Sequence, residues 1–128
     1  MKIHGIGTDI VSVNRIKSII KKKSLFKKRI FSKNEILYCE KKKYSYSFFA
    51  KRFAAKEAFS KALGTGISNG LSFKEVEIHN NLKGKPMISI TGKSLKITKK
   101  ILKKKIFNVN LSLSDEKLFA VAMVIIEI

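Results

Sequence analysis

The residues best equipped for chemistry lie in two short stretches, "GIGTD" (Gly5 to Asp9) and "RFAAKEAFSKALGTG" (Arg52 to Gly66). In the second, one carboxylate, Glu57, stands among the basic side chains of Arg52, Lys56 and Lys61 on an alanine-rich run closed by glycines. Glu57 and Lys61 are spaced for an ordinary ion pair on a helix surface, worth a few tenths of a kcal/mol. That reading leaves unexplained why both sit over small residues rather than bulk. In "GIGTD" two glycines precede an acid near the end of a strand pattern. A dinucleotide fingerprint would need a third glycine and a crossover to a parallel strand, and neither follows. Asp9 can be a metal ligand, because glycines let a large ligand approach the backbone beside a carboxylate. The alternative role for Asp9 is to help cap the next helix.

The other reactive side chains carry less. His4 and His79 lie in strand patterns without the Ser, Cys or Asp spacing of a triad. Cys39 is the lone cysteine, which excludes an internal disulfide and a cysteine-rich zinc site. The lysine runs at 21–23, 41–43 and 103–105 suit phosphates or simply a solvated face.

The elements that position these groups follow from hydrophobic spacing. Residues 2–11 alternate weakly and read as a strand, and Ser12 is placed to cap a helix with Ile16, Ile19 and Ile20 on its apolar side. "SKNE" (Ser32 to Glu35) fits a capping box that opens a second helix. A third helix runs from about Ser47 to Leu63 with Ala55, Ala58, Phe59 and Ala62 as its buried arc. On that reading Glu57 points away from the arc, alongside Ala50, Ala54 and Lys61, and Gly64 and Gly66 end the helix. Beyond Gly70 the period becomes two: "FKEVEIHN" and "MISIT" form a hairpin about "NLKGKP". "GKSLKITKKILKKKIF" has helical spacing, and "NVNLSLS" and "LFAVAMVIIEI" pair across the turn "DEK". No repeat or linker interrupts residues 1–128, so the expected fold is one α+β domain with an antiparallel sheet packed on helices.

Composition sets the class. Nearly half of the 128 residues are hydrophobic, which supports a folded core. No apolar run approaches the roughly 20 residues of a membrane span, and the N-terminus lacks the pattern of a signal peptide, so a cytoplasmic protein is expected. The net charge of +19 (28 basic against 9 acidic residues) points to an anionic partner. Arg15, Arg29 and Arg52 are the only arginines, and the rest of the excess is lysine, part of which AT-rich coding sequence would also produce. Charge names the sign of the partner only.

The chain resembles the holo-acyl-carrier-protein synthases, small bacterial 4′-phosphopantetheinyl transferases. The likeness rests on "GIGTDIVSVNRI", "RFAAKEAFSKALGTGI", "LSFKEVEI", the turn "GKP" and "NLSLSDEKLFAVAMVII", in that order along essentially the whole chain. It implies transfer of the phosphopantetheine arm of coenzyme A to a serine hydroxyl of an acidic acyl carrier protein. The other product would be adenosine 3′,5′-bisphosphate, and the process served is fatty acid biosynthesis. It also implies Mg²⁺ as cofactor, with Asp9 and Glu57 at the metal-carboxylate positions and the alanines beneath Glu57 leaving room for metal and pyrophosphate. Mg²⁺ commonly takes one or two protein carboxylates and completes its shell with water and substrate phosphates. Lys61 matches a lysine on the coenzyme A phosphates, so Asp9, Glu57 and Lys61 would carry the reaction.

By the same resemblance, Lys43 and Arg52 lie near the 3′-phosphate, and Gly64, Gly66 and the turn Gly84, Lys85, Pro86 line the coenzyme cleft. Arg15, Ile19 and Lys22 would meet the carrier protein. The family forms trimers with active sites at subunit interfaces, so a homotrimer is expected. One departure stands out: Asp115 occupies a position where the family has a histidine beside the 3′-phosphate. Asp115 either weakens that contact or turns away and caps the "DEK" turn, a role aspartate fills well. The rival function is a basic RNA-associated protein without catalytic activity. Base-stacking aromatics on a strand would support it, and the phenylalanines fall at apolar positions instead, so no nucleic acid is expected.

Overall fold

A computed structural model of the chain describes residues 1–64 and 70–128. The elements run β1 (Ile3–Ser12), α1 (Val13–Lys22), α2 (Phe26–Ile30), α3 (Lys33–Glu40), α4 (Ser45–Leu63), a 3-10 turn (Phe73–Glu75), β2 (Val76–Asn80), β3 (Pro86–Ile90), α5 (Gly92–Leu102), β4 (Asn108–Asp115) and β5 (Phe119–Glu127). The α+β architecture is as expected, with two antiparallel sheets where one was anticipated: a three-stranded sheet ordered β1-β5-β4 and the β2-β3 hairpin.

Helix α4 lies across the three-stranded sheet, and its alanines explain how closely. A Cβ at Gly5 would run into the carbonyl oxygen of Ala62, and one at Gly7 into that of Ala58. The strand backbone therefore rests on the helix backbone, and only glycine opposite alanine permits it. Ala50, Ala54, Ala55 and Ala58 are all fully buried. This corrects the expected helix orientation, which set Ala50 and Ala54 on the open side with Glu57. The period of 3.6 holds, but the buried arc is wider because both the sheet and the hairpin side cover the helix. Ala58 and Ala62 are the small residues at the strand–helix contact.

Local signals explain most boundaries. The Ser12 hydroxyl accepts from the Arg15 amide at 3.2 Å and starts α1. Ser32 and Glu35 form the expected capping box on α3. Gly64, at φ 94°, ends α4 in the left-handed region. Three boundaries differ from expectation. Helix α4 starts two residues earlier, at Ser45. The first part of "FKEVEIHN" is a 3-10 turn because Glu75 is drawn out of strand geometry to cap α5: its carboxylate accepts from the Ser94 hydroxyl at 2.8 Å and from the amides of Ser94 and Lys93 at 3.1 and 3.2 Å. Those bonds, the Ser94 hydroxyl first, hold the Glu75 carboxyl below the usual carboxylate range. Helix α5 stops at Leu102 rather than continuing to Phe107, with Lys103 left-handed at φ 56°. Further turns would stack Lys99, Lys100, Lys103 and Lys104 at repelling spacings, and the chain must instead reach β4.

The core holds Phe31, Phe49, Phe59, Leu63, Ile78, Val124 and Ile126, each at most 2% exposed. Cys39 is fully buried there, and burial pushes its thiol up to about 12, so it is inert at neutral pH. Among the described residues, no helix is long and apolar enough to cross a membrane.

Candidate active site

The approach of β1 to α4 brings Asp9 beside the exposed end of the helix, where Glu57 and Lys61 stand one turn apart. Lys61 donates from Nζ to Asp9 Oδ1 at 3.1 Å and to the Thr8 carbonyl at 2.9 Å. The surface pair between Glu57 and Lys61 is therefore not what forms; the lysine reaches across to the strand. The second oxygen of Asp9, Oδ2, is buried with no hydrogen-bond partner. Glu57 is half-buried, and its carboxyl is pushed up by burial first and by the charge of Asp9 second, with Lys61 opposing both. Two carboxylates that repel each other, one with an unpartnered buried oxygen, fit a hard divalent cation. They supply two protein ligands; among the described residues no group of three or more His, Cys, Asp or Glu gathers anywhere. That donor count suits a cation completed by water and phosphate oxygens.

A second group of expected residues meets on the other side of α4. Arg52 is only 2% exposed, donates to Asn80 Oδ1 at 2.9 Å, and lays its guanidinium over the Tyr38 ring at 4.2 Å from the centroid. Its Nε is buried without a partner. A cleft of about 280 Å³ opens here, with Arg52, Asn80, Gly84, Pro86, Lys51 and Asp115 among its walls. The hairpin turn is held open toward it by Asn80 Nδ2, which donates to the Gly84 carbonyl at 2.9 Å, and by Gly84 itself at φ 85°. Lys85 is exposed and does not line this cleft.

Asp115 does not cap the "DEK" turn, which is closed by the Glu116 amide on the Phe119 carbonyl at 2.9 Å. Its carboxylate instead accepts from the Ser47 hydroxyl at 3.0 Å and from Lys51 Nζ at 3.4 Å. Asp115 thus occupies a lysine that would otherwise be free for an anion. A larger adjoining cleft of about 840 Å³ shares Lys51 and Asp115 with the first and adds Lys43, Lys17, Tyr44 and Tyr46. Lys43 is therefore near this region without touching Arg52's cleft.

The carboxylate group and the arginine cleft do not converge within one chain: neither cleft is lined by Asp9, Glu57 or Lys61. Gly64 caps α4 away from both clefts, and Gly66 lies outside the described residues. On α1, Arg15 and Lys22 are exposed and Ile19 is half-buried, on a helix with no acidic residue in its first turn.

Several participants were invisible to spacing alone. Tyr38, Lys51 and Asn80 enter the cleft from three different elements. Lys56, next to Glu57, is fully buried and paired at 2.8 Å with fully buried Glu35. Only the capping box hinted at Glu35, and it explained one of that residue's two tasks.

Comparison with known proteins gives the frame for this arrangement. Residues 5–122 match the family model of the 4′-phosphopantetheinyl transferase superfamily. The chain is 50% identical over 127 residues to the holo-[acyl-carrier-protein] synthase of Pelagibacter ubique, covering 99% of this chain and 98% of that protein. It superposes on the crystal structure of holo-[acyl-carrier-protein] synthase from Neisseria meningitidis with a TM-score of 0.85 at 40% identity, covering 98% of this chain and 99% of that one. The holo-(acyl-carrier-protein) synthase of Bacillus anthracis, in complex with CoA (3′,5′-ADP), aligns with a TM-score of 0.80 at 39% identity, covering 99% and 98%. With the match spanning nearly every element described above, the chain belongs to the 4′-phosphopantetheinyl transferase superfamily.

Proposed function

We propose that this chain is a magnesium-dependent holo-acyl-carrier-protein synthase. It transfers 4′-phosphopantetheine from coenzyme A to a serine hydroxyl of an apo acyl carrier protein, in the cytoplasm and in the service of fatty acid biosynthesis. The observation that carries the reading is Asp9 with its unpartnered buried oxygen beside half-buried Glu57, at the strand–helix junction. The relatives named above lend the substrate class.

Asp9 and Glu57 would hold the cation, which when bound neutralises the coenzyme A pyrophosphate and polarises the phosphoryl group. Lys61, more than half exposed where it meets Asp9 Oδ1, would donate to a pyrophosphate oxygen. Arg52, stacked on Tyr38 and braced by Asn80, offers a rigid guanidinium with an unused Nε to the 3′-phosphate. The carrier serine oxygen forms a bond to the phosphorus of the phosphopantetheine arm, and the bond to the adenosine bisphosphate oxygen breaks. The serine proton passes to a water oriented by Glu57, since a carboxylate committed to a cation is a weak base itself. Positioning and charge neutralisation supply most of the acceleration in such a transfer.

The two halves of the site come together in a trimer, in which one protomer's carboxylate pair faces its neighbour's arginine cleft. The outer face of the three-stranded sheet supports this assembly: Ile6, Ile10, Phe119, Val121 and Met123 stand on it with 38–65% exposure. Register places Ile10 opposite Val121 and Ser12 opposite Phe119, making the patch continuous across β1 and β5. So large an apolar stripe on one sheet face marks an interface. The exposed Arg15 and Lys22 with Ile19 on α1 suit an acidic carrier.

The deciding experiment combines purified protein, coenzyme A, Mg²⁺ and an apo carrier protein, with intact mass as readout. A gain of the phosphopantetheine mass on the carrier supports the function. No gain with a competent carrier refutes it and favours polyanion binding through lysines alone, which would show a steep salt slope and no need for Asp9 or Glu57.

A further inference from the structure

The ion pair between Glu35 and Lys56 lies entirely inside the protein, both side chains at 0% exposure. Lys56 spends its three N–H groups on Glu35 Oε1 at 2.8 Å, the Phe73 carbonyl at 2.7 Å and the Val76 carbonyl at 2.6 Å. Glu35 accepts in turn from the Ser32 amide at 2.8 Å through Oε1 and from the Ile78 amide at 2.9 Å through Oε2. One pair thus binds together α3, α4, the 3-10 turn and β2. Pairs of this kind seldom add net stability over well-packed apolar residues, so their presence asks for another reason.

The reason lies in what each tied residue stands next to. Glu35 is three residues from Tyr38 on α3, Lys56 is four from Arg52 on α4, and Ile78 is two from Asn80 on β2. Those spacings put each partner on the same face of its element as the residue it serves. Tyr38, Arg52 and Asn80 are the three side chains that meet at the arginine cleft, through the stacking contact and the 2.9 Å bond. Fixing Glu35, Lys56 and Ile78 to one another therefore fixes the mutual position of Tyr38, Arg52 and Asn80 one step away.

We propose that Glu35 and Lys56 are positioning residues for the anion-binding cleft, holding Arg52 in the register that receives the 3′-phosphate of the nucleotide. The inference rests on the functional reading above, which assigns that phosphate to Arg52. The pair touches no substrate. Its effect falls on the Arg52 side of α4 and on nucleotide affinity, while Asp9 and Glu57, held by the glycine contacts of β1, keep their arrangement.

The test uses the full chain and adenosine 3′,5′-bisphosphate as the titrated ligand. The variants are Lys56→Met, which leaves Glu35 charged and buried alone, and the double variant Glu35→Gln/Lys56→Met. The double variant buries no charge and keeps an amide oxygen for one of the two amides, Ser32 or Ile78, that Glu35 receives on separate oxygens. Should Lys56→Met not fold, the double variant carries the measurement. The expectation is that the double variant folds, with a melting temperature lowered by the loss of the donor to the Phe73 and Val76 carbonyls. It should bind the nucleotide about tenfold to a hundredfold more weakly, the cost of a small misplacement in a preorganised site. KM for coenzyme A should rise by a similar factor, with kcat at saturation and KM for the carrier within about twofold of wild type. A pair that serves stability alone would lower the melting temperature and leave affinity intact in the folded variant; wild-type affinity in the double variant therefore overturns the inference by itself. No binding of the nucleotide by the wild-type chain overturns the functional reading and this inference with it.

Discussion

Replacing Asp9 by asparagine separates catalysis from stability more cleanly than any other single change. The substitution keeps the shape of the side chain and removes its charge. On the stability side, the ion pair with Lys61 is lost, but that lysine is 56% exposed against 15% for Asp9, so the pair contributes at most about 1 kcal/mol. The buried Oδ2 has no partner to lose, and a neutral amide in place of the carboxylate would relieve the repulsion on Glu57. The net change in melting temperature should stay within about 4 °C. On the catalytic side, the proposed cation site loses one of its two carboxylates. A cation at a transferring phosphoryl group supplies several kcal/mol, and at about 1.4 kcal/mol per decade the rate should fall by roughly a hundredfold to ten-thousandfold. Glu57→Gln should behave alike. The assay is initial rate of carrier modification across a magnesium titration, alongside a thermal melt of each variant. Near-normal turnover at limiting magnesium in either variant would refute the metal assignment, and an unfolded variant would refute the stability argument. The pH dependence follows with a definite sign. Glu57's carboxyl is raised, so in the metal-free protein its protonated form is favoured, and the stability it contributes is present at low pH and lost as pH rises through the raised value. Magnesium needs the ionised form, so the magnesium concentration for half-maximal rate should increase as pH falls through that value.

Other expectations concern separate parts of the molecule. Arg15→Glu or Lys22→Glu should raise KM for the carrier well above any change in KM for coenzyme A, and the effect should shrink with salt; equal changes for both substrates would remove α1 from docking. The 14.5 kDa chain should sediment as a trimer whose specific activity falls on dilution, and full activity from a demonstrated monomer would contradict a shared site. Asp115→His frees Lys51 from its carboxylate and offers a donor in the same cleft. A charge-assisted bond of about 1.5–3 kcal/mol predicts a gain of about tenfold or more in kcat/KM for coenzyme A and little change for the analogue without the 3′-phosphate; unaltered values for both would place Asp115 outside the phosphate site. Gly7→Ala drives a Cβ into the Ala58 carbonyl and should destabilise by about 1–3 kcal/mol or more in denaturant titration, while an unaffected midpoint would disprove the close strand–helix contact.

The motifs themselves carried the family and most of the order of elements, missing the short, uncapped α2 between α1 and α3. Ser12, the Ser32–Glu35 capping box and Gly64 are local devices, satisfied by atoms a few residues away, so each was legible from its own neighbours. Asp9 and Glu57 stood out as candidate carboxylates from their own stretches, with their shared metal role implied only by the family resemblance. Their partners did not. A helical period names a buried face without saying how many layers cover it, which is why Ala50 and Ala54 were placed on the open side while the structure buries them fully. Nothing in one stretch reveals that Gly5 and Gly7, some fifty residues earlier, rest on the backbone of Ala62 and Ala58. Lys56 stood out only as one of the basic side chains around Glu57, and Asp115 read as either a turn cap or a phosphate neighbour. Packing decided both: Lys56 has a buried carboxylate and two carbonyls waiting across three elements, and Asp115 meets Ser47 and Lys51 of α4. Spacing along a chain sets which residues share a face, but the charge state, burial and partner of a side chain depend on atoms that only the folded backbone brings near.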